Sequence, residues 1–146
     1  MTSDPPLAGQ FRPGERTPAG RAVLDQAFDS ATLYALRSAV QAHAFAAGMP
    51  ERRADDVVIA VHELAANAIR HGAGRGRLRM WRVPGGLCFQ VDDARPGGPD
   101  GRDPARWPYL PGHGLWLVRQ VADQMHASSG PGGTRVTVVF ALPSVP

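Results

Sequence analysis

The segment His62-Glu63-Leu64-Ala65-Ala66-Asn67-Ala68-Ile69-Arg70-His71-Gly72 decides how this chain is read. It closes a longer helical pattern in which Val57, Val61, Leu64 and Ala68 recur at helical spacing. The predicted helix begins near Pro50 or Glu51 and runs to His71, with Gly72 as its stop. Glu63 and Asn67 are four residues apart, so they project from one helix face, with the apolar stripe expected on the other. A carboxylate beside a carboxamide suits a site that holds hydrated Mg²⁺, a hard cation usually shared with substrate phosphates. Asn67, the only asparagine of the chain, can give an oxygen ligand without added charge. Glu63 can accept a proton from an attacking hydroxyl or water. A solvated polar helix face explains the same spacing, so the pair alone leaves both readings open.

Upstream, residues 1–20 carry Pro5, Pro6, Pro13 and Pro18 and read as a flexible tail. A short strand is expected around Arg21 to Phe28. A helix follows to about Ala47, capped by Asp29 or Ser30, with Leu33, Leu36, Val40 and Ala44 as its apolar stripe and Gly48 as its stop. Downstream, Arg77 to Val83 alternates apolar and arginine, predicting a strand with one wet face. Pro84-Gly85-Gly86 turns the chain into a second strand, Leu87 to Val91. Asp92 to Pro111 holds five prolines and is expected to be a loop or lid. A third helix is predicted from Gly114 to about His126, then a turn over Ser128 to Gly133, then a strand from Thr134 to Leu142. This order does not alternate strand and helix strictly. It predicts an α+β fold, a two-layer α/β sandwich with helices on one face of a mostly antiparallel sheet. The organisation expected is a tail over 1–20, one domain over 21–142 and a short tail over 143–146.

Composition excludes several functions. With 146 residues and 43% hydrophobic content the chain can bury one ordinary core. The net charge is +3, and all sixteen basic side chains are arginine. With no lysine, a Walker-A phosphate loop and Schiff-base chemistry are impossible. The single cysteine, Cys88, lies in an apolar stretch and is expected to be a buried small hydrophobe. No apolar run approaches the ~18 residues that cross a membrane, and the N-terminus lacks a signal-peptide core. A cytoplasmic location without membrane contact is the expectation. Arg75, Arg77, Arg79 and Arg82 raise nucleic-acid binding as a further reading, but a solvated or partner-facing strand accounts for them, so no direct nucleic-acid contact is expected.

Three more groups of residues can carry chemistry. Asp92-Asp93 ends a strand at the loop, where a carboxylate can accept a hydrogen bond from an exocyclic amine. Gly112-His113-Gly114-Leu115 leads into a helix N-terminus, where free backbone N–H groups and the helix dipole favour phosphate. Gly132-Gly133-Thr134 enters the last strand. Each also reads as ordinary loop or turn structure. Their order along the chain is the stronger signal.

In that order the sequence resembles the GHKL ATPases, whose ATP site is called the Bergerat fold, and within them the bacterial anti-sigma-factor serine/threonine kinases. The likeness covers about Arg21 to Leu142. It implies ATP and Mg²⁺ as cofactors, Glu63 as general base and Asn67 as the Mg²⁺ ligand. It assigns Asp93 to the adenine amine, because the family's D-x-G-x-G box aligns with Asp93-Ala94-Arg95-Pro96-Gly97 and so draws in Gly97. Arg95 stands where that box has its first glycine. Gly112, His113, Gly114 and Leu115 would wrap the phosphates, Thr134 would sit near the adenine pocket, and Arg95 to Leu110 would be the lid. The resemblance also implies a homodimer that phosphorylates a serine on a small anti-anti-sigma (STAS-type) protein and sequesters a sigma factor. An ATP-gated protein-binding switch with little or no phosphoryl transfer is the alternative.

Overall fold

The computed structural model describes residues 17–94 and 114–143. Its elements are β1 (Leu24–Asp29), α1 (Leu33–Ala46), α2 (Glu51–His71), β2 (Arg75–Val83), β3 (Gly86–Asp93), α3 (Gly114–Val121), β4 (Gln124–Gly130) and β5 (Gly133–Ala141). The five strands form one antiparallel sheet in the order β1-β2-β3-β5-β4. The α+β two-layer fold expected from the element order is the fold observed.

Strand alternation sorts the sheet into two faces. Leu78 and Met80 of β2, Leu87, Phe89 and Val91 of β3, and Val136, Val138 and Phe140 of β5 point to the helices and form the main core. Leu36, Val40 and Ala44 of α1, Val57, Val61 and Leu64 of α2, and Leu115 and Val118 of α3 meet them. The Phe89 and Phe140 rings pack edge to face, centroids 6.1 Å apart. Arg53 ties α2 to the far end of this layer. It donates to Asp56 at 2.9 Å, to the Val121 carbonyl at 3.0 Å and to Asp123 at 2.7 Å, and its guanidinium lies 5.1 Å from the centre of the Phe140 ring.

Three expectations change. First, α3 stops at Val121, and residues predicted as its last turn and a following turn form β4, an edge strand paired with β5 from Gln124↔Val139 to Gly130↔Gly133. Met125 and Ala127 pack against the core from this strand. Their neighbours Gln124, His126 and Ser128 are weak strand formers, so the period-2 signal was faint. Second, Asp29 is not the cap of α1. Its Oδ1 accepts from the Ala31 and Thr32 N–H groups at 2.9 and 3.0 Å, closing a turn before a helix that starts at Leu33. Third, the outer face of β2 is exposed only toward its start, at Arg75 and Arg77. Trp81, Cys88 and Val139 form a second, small buried cluster there, with Ala22 and Val83 against it. Residues 17–23 run along this face: the Thr17 hydroxyl donates to Gln90 at 3.5 Å, Pro18 is buried, and the Val23 N–H donates to Met80 at 2.7 Å. The non-alternating run Leu87-Cys88-Phe89-Gln90-Val91 is the sequence signal of a strand covered on both sides.

Candidate functional site

The site is built where the C-terminal half of α2 meets the ends of β3 and β5. On α2 the buried residues Ala54, Val57, Ala60, Val61, Leu64, Ala65, Asn67 and Ala68 occupy a broad arc. Small alanines let the helix sit deep enough for that arc to be wide. Asn67 closes one edge of the arc at 9% exposure, and Glu63, one turn earlier, lies just outside it. Asn67 is therefore part of the buried stripe rather than opposite it, as spacing alone suggested. Among the described residues no hydrogen bond to its carboxamide is present. A mostly buried asparagine whose carboxamide makes no hydrogen bond among the described residues and still reaches the surface is placed to contact a metal or ligand. The Glu63 carboxylate stands half-buried, its Oε2 4.0 Å from His62 Nε2.

Asp93 and Thr134 are cross-strand partners at the end of β3 and β5. Both follow the inward alternation of Val91 and Val136, so both face the helix layer. Asp93 Oδ1 accepts the Ala73 N–H at 3.0 Å, just beyond the C-terminus of α2. Thr134 is buried at 7% exposure. Asp92, its sequence neighbour, turns to the outer face. There Arg135 Nε donates to Asp92 Oδ1 at 2.6 Å, and Arg79 Nη2 donates to Asp92 Oδ2 at 2.9 Å. The two carboxylates that sequence could only rank are thus on opposite sides of the sheet.

Gly114 begins α3, and Leu115 is fully buried in the core, so only its backbone can face a ligand. The C-terminal end of α3 lies at the first turn of α2, where Arg53 Nη1 reaches the Val121 carbonyl at 3.0 Å. Since α3 packs along α2, its N-terminus points toward the later turns that carry Glu63. Gly97, Gly112, His113 and the lid from Arg95 to Leu110 lie outside the described residues. The structure places Glu63 and Asn67 on the last turns of α2, and Asp93, with Thr134 across from it, against the residues just past the end of that helix.

A cavity of about 530 Å³ opens at the same end of the sheet. Asp93 and Thr134 reach its rim, but its walls are the outward-facing Ala27, Arg77, Asp92 and Arg135, and neither Glu63 nor Asn67 lines it. Of the three arginines that line it, Arg77 and Arg135 are ion-paired. Arg77 forms a two-point pair with Asp25 at 2.6 and 2.5 Å, and this hydrogen-bonded guanidinium holds the Asp25 carboxyl below its usual range. Arg82, outside the cavity and on the helix side of β2, donates to the Ala46 carbonyl at 2.8 Å. Of the four arginines read from the sequence, Arg77 and Arg79 are ion-paired and Arg82 turns to the helix layer, so they do not form one basic face, which weakens them as a nucleic-acid surface. On the same face burial pushes the Cys88 thiol up to about 12, which keeps it protonated and inert.

Residues 27–140 match the family model of the histidine kinase-like ATPase domain. The chain belongs to this family. Comparison with curated proteins finds no match. Among solved structures, the RsbU and RsbW domains of Rv1364c from Mycobacterium tuberculosis align with a TM-score of 0.63 at 16% identity, over 84% of this chain and 34% of that one. The blue-light activated histidine kinase of Erythrobacter litoralis aligns with a TM-score of 0.54 at 26% identity, over 64% of this chain and 32% of that one. The Acinetobacter baumannii histidine kinase AdeS aligns with a TM-score of 0.51 at 18% identity, over 83% of this chain and 68% of that one. This ATPase domain spans about a third of the length of the first two. Its family is one of ATP-binding, kinase-like domains. No helix among the described residues is long and apolar enough to cross a membrane.

Proposed function

We propose that this ATPase domain is a Mg-ATP-dependent protein serine kinase of the anti-sigma type, acting on an anti-anti-sigma partner, sequestering a sigma factor and working as a cytoplasmic homodimer. One observation carries the ATP site. A nearly buried asparagine and a half-buried glutamate sit on one edge of α2, and an aspartate and a threonine face the same layer beyond its end. The anti-sigma reading draws support from the likeness to a structure containing an RsbW domain and from the motif order of the sequence.

ATP would supply the phosphoryl group, and Mg²⁺ would neutralise its charge. In this reading Asn67 would hold the cation through its carboxamide oxygen. Asp93 accepts the adenine amine, with Thr134 beside it. The start of α3, with Gly112, His113, Gly114 and the Leu115 backbone, presents N–H groups to the phosphates. Gly97 would add a nucleotide contact shortly after Asp93 in the sequence. Glu63 would accept the proton of the attacking serine hydroxyl, which raises its nucleophilicity as the new oxygen–phosphorus bond forms, the bond from the γ-phosphorus to the β–γ bridging oxygen breaks and ADP leaves.

The test is an ATP titration with and without Mg²⁺ on the wild type and on Asn67→Ala. The wild type is expected to bind more tightly with Mg²⁺, and the variant to lose that dependence. Unchanged magnesium-dependent binding in Asn67→Ala overturns the site. Glu63→Ala is expected to bind ATP but transfer no phosphate to a cognate partner. Full partner regulation by Glu63→Ala without transfer points instead to the ATP-gated switch.

A further inference from the structure

Gly72 follows α2 directly, and the sequence reads it as a helix stop. Its backbone does not need glycine for that purpose. Its φ is −106°, outside the left-handed region, and its N–H still closes the helical bond to the Ala68 carbonyl at 3.0 Å. What the position lacks is room. A Cβ on Gly72 would lie 1.5 Å from Asp93 Oδ2 and 2.4 Å from Asp93 Cγ. Gly133 meets the same residue from the other side: a Cβ there would lie 2.2 Å from the Asp93 carbonyl oxygen, and its φ of +128° disfavours any other residue. Two glycines from distant parts of the chain therefore close on one aspartate, Gly72 on its carboxylate and Gly133 on its backbone. The Ala73 N–H fixes the remaining freedom by donating to Asp93 Oδ1.

We propose that Gly72, with Gly133, is a positioning residue that sets the specificity of the nucleotide site for a base carrying an exocyclic amine. The proposal rests on the assignment of Asp93 to the base made above. An ionised carboxylate only accepts hydrogen bonds, so the base it selects must offer a donor at that edge. Its aim decides whether a ring amine and a ring carbonyl are told apart. Seated against Gly72 and held by Ala73, the carboxylate is fixed to the end of the helix that carries Glu63 and Asn67. Recognition of the base and placement of the α2 side chains thus share one rigid joint.

The experiment compares binding of ATP and inosine triphosphate, which carries a carbonyl where adenine has its amine, to the full chain and to Gly72→Ala, Asp93→Ala and the double variant. Thermal midpoints are recorded for all four. The wild type is expected to prefer ATP by roughly tenfold or more, as a site built to accept a donor rejects a ligand lacking it. Gly72→Ala is expected to fall to within about threefold between the two nucleotides, as the displaced carboxylate loses its aim. A Cβ on Gly72 also crowds the Ala68 carbonyl at 2.5 Å, a cost present in every background. The midpoint loss caused by Gly72→Ala is therefore expected to shrink, not vanish, when Asp93 is already alanine. Retention of the wild-type preference in Gly72→Ala overturns the proposal, as does an equal midpoint loss in both backgrounds. If Gly72→Ala does not fold, folding of the double variant supports the proposal and its failure overturns it. A wild type that binds ATP without preferring it over inosine triphosphate, or that binds neither, instead defeats the assignment of Asp93 and of the ATP site.

Discussion

Asp92 and Asp93 are consecutive residues at the end of β3, and they belong to different regions of the molecule. Asp92 looks outward, where two arginines claim both of its oxygens. Asp93 looks inward, where a backbone N–H beyond α2 and two glycines hold it at the border of the helix layer. The outer face pairs most of its charges and packs its apolar side chains together: Arg77 with Asp25, Arg79 and Arg135 with Asp92, Trp81 with Cys88 and Val139. The inner face leaves a nearly buried asparagine without a protein partner among the described residues. The lesson is that strand alternation gives two adjacent carboxylates opposite surroundings, one claimed by arginines and the other held by backbone at the helix end. Charge alone does not mark a site, for the outer face holds paired charges of both signs.

The contrast can be broken by substitution on either side. Phe89 is fully buried at the centre of the inner core, so Phe89→Ala should cost about 3–5 kcal/mol of unfolding free energy in a denaturant titration. A loss near that of a surface substitution would mean the helices do not close on the sheet as described. Asp93→Ala should weaken ATP binding by roughly tenfold to a hundredfold with little change in thermal midpoint. Asp92→Ala should do the reverse. It leaves Arg79 and Arg135 without their shared carboxylate, which is 26% exposed, and should cost about 1–2 kcal/mol with ATP affinity unchanged. An ATP defect in Asp92→Ala equal to that in Asp93→Ala would erase the distinction between the faces.

Smaller effects sharpen the outer face. The Cys88 thiol titrates near its usual 9.0 when unfolded and at about 12 when folded. Above the first value the unfolded chain loses a proton that the folded chain keeps, so stability should fall between those pH values. Cys88→Ala should flatten that part of the profile, and in the wild type Cys88 should resist thiol alkylation at pH 8 until denaturant is added. A matching decline in both proteins would place the alkaline sensitivity elsewhere. Asp25→Asn should have the least effect of all, because its pairing with Arg77 is exposed and screened by salt. Since Arg77 lowers the Asp25 pKa, the contribution it makes is present at neutral pH and fades only as the carboxylate is protonated in acid.

Much of the inner face was legible before any coordinates. Helix α2 was read from its periodicity and flanking Pro50 and Gly72, and runs from Glu51 to His71 as expected. The β2–β3 hairpin followed from alternation around Pro84-Gly85-Gly86. Strand β4 was not legible, because Gln124-Met125-His126-Ala127-Ser128-Ser129-Gly130 carries little strand propensity and is recruited by pairing with β5. The outer cluster was missed for a related reason. Arginines at alternate positions of β2 imply a wet face, yet Arg79 lies across the Trp81 ring at 5.2 Å and covers apolar surface with its stem.

The sequence by itself determined every element type except that of β4, the α+β class and a short set of candidate residues, because periodicity, glycine and proline act locally. Only the tertiary structure separated Asp93 from Asp92 by face, set Asn67 at the edge of the buried arc, and brought Gly72 and Gly133 to opposite sides of one aspartate. Those facts depend on which strands pair and how close a helix end comes to a strand end. Gly72 and Asp93 are twenty-one positions apart in the chain, and no local pattern encodes the missing Cβ that lets them touch.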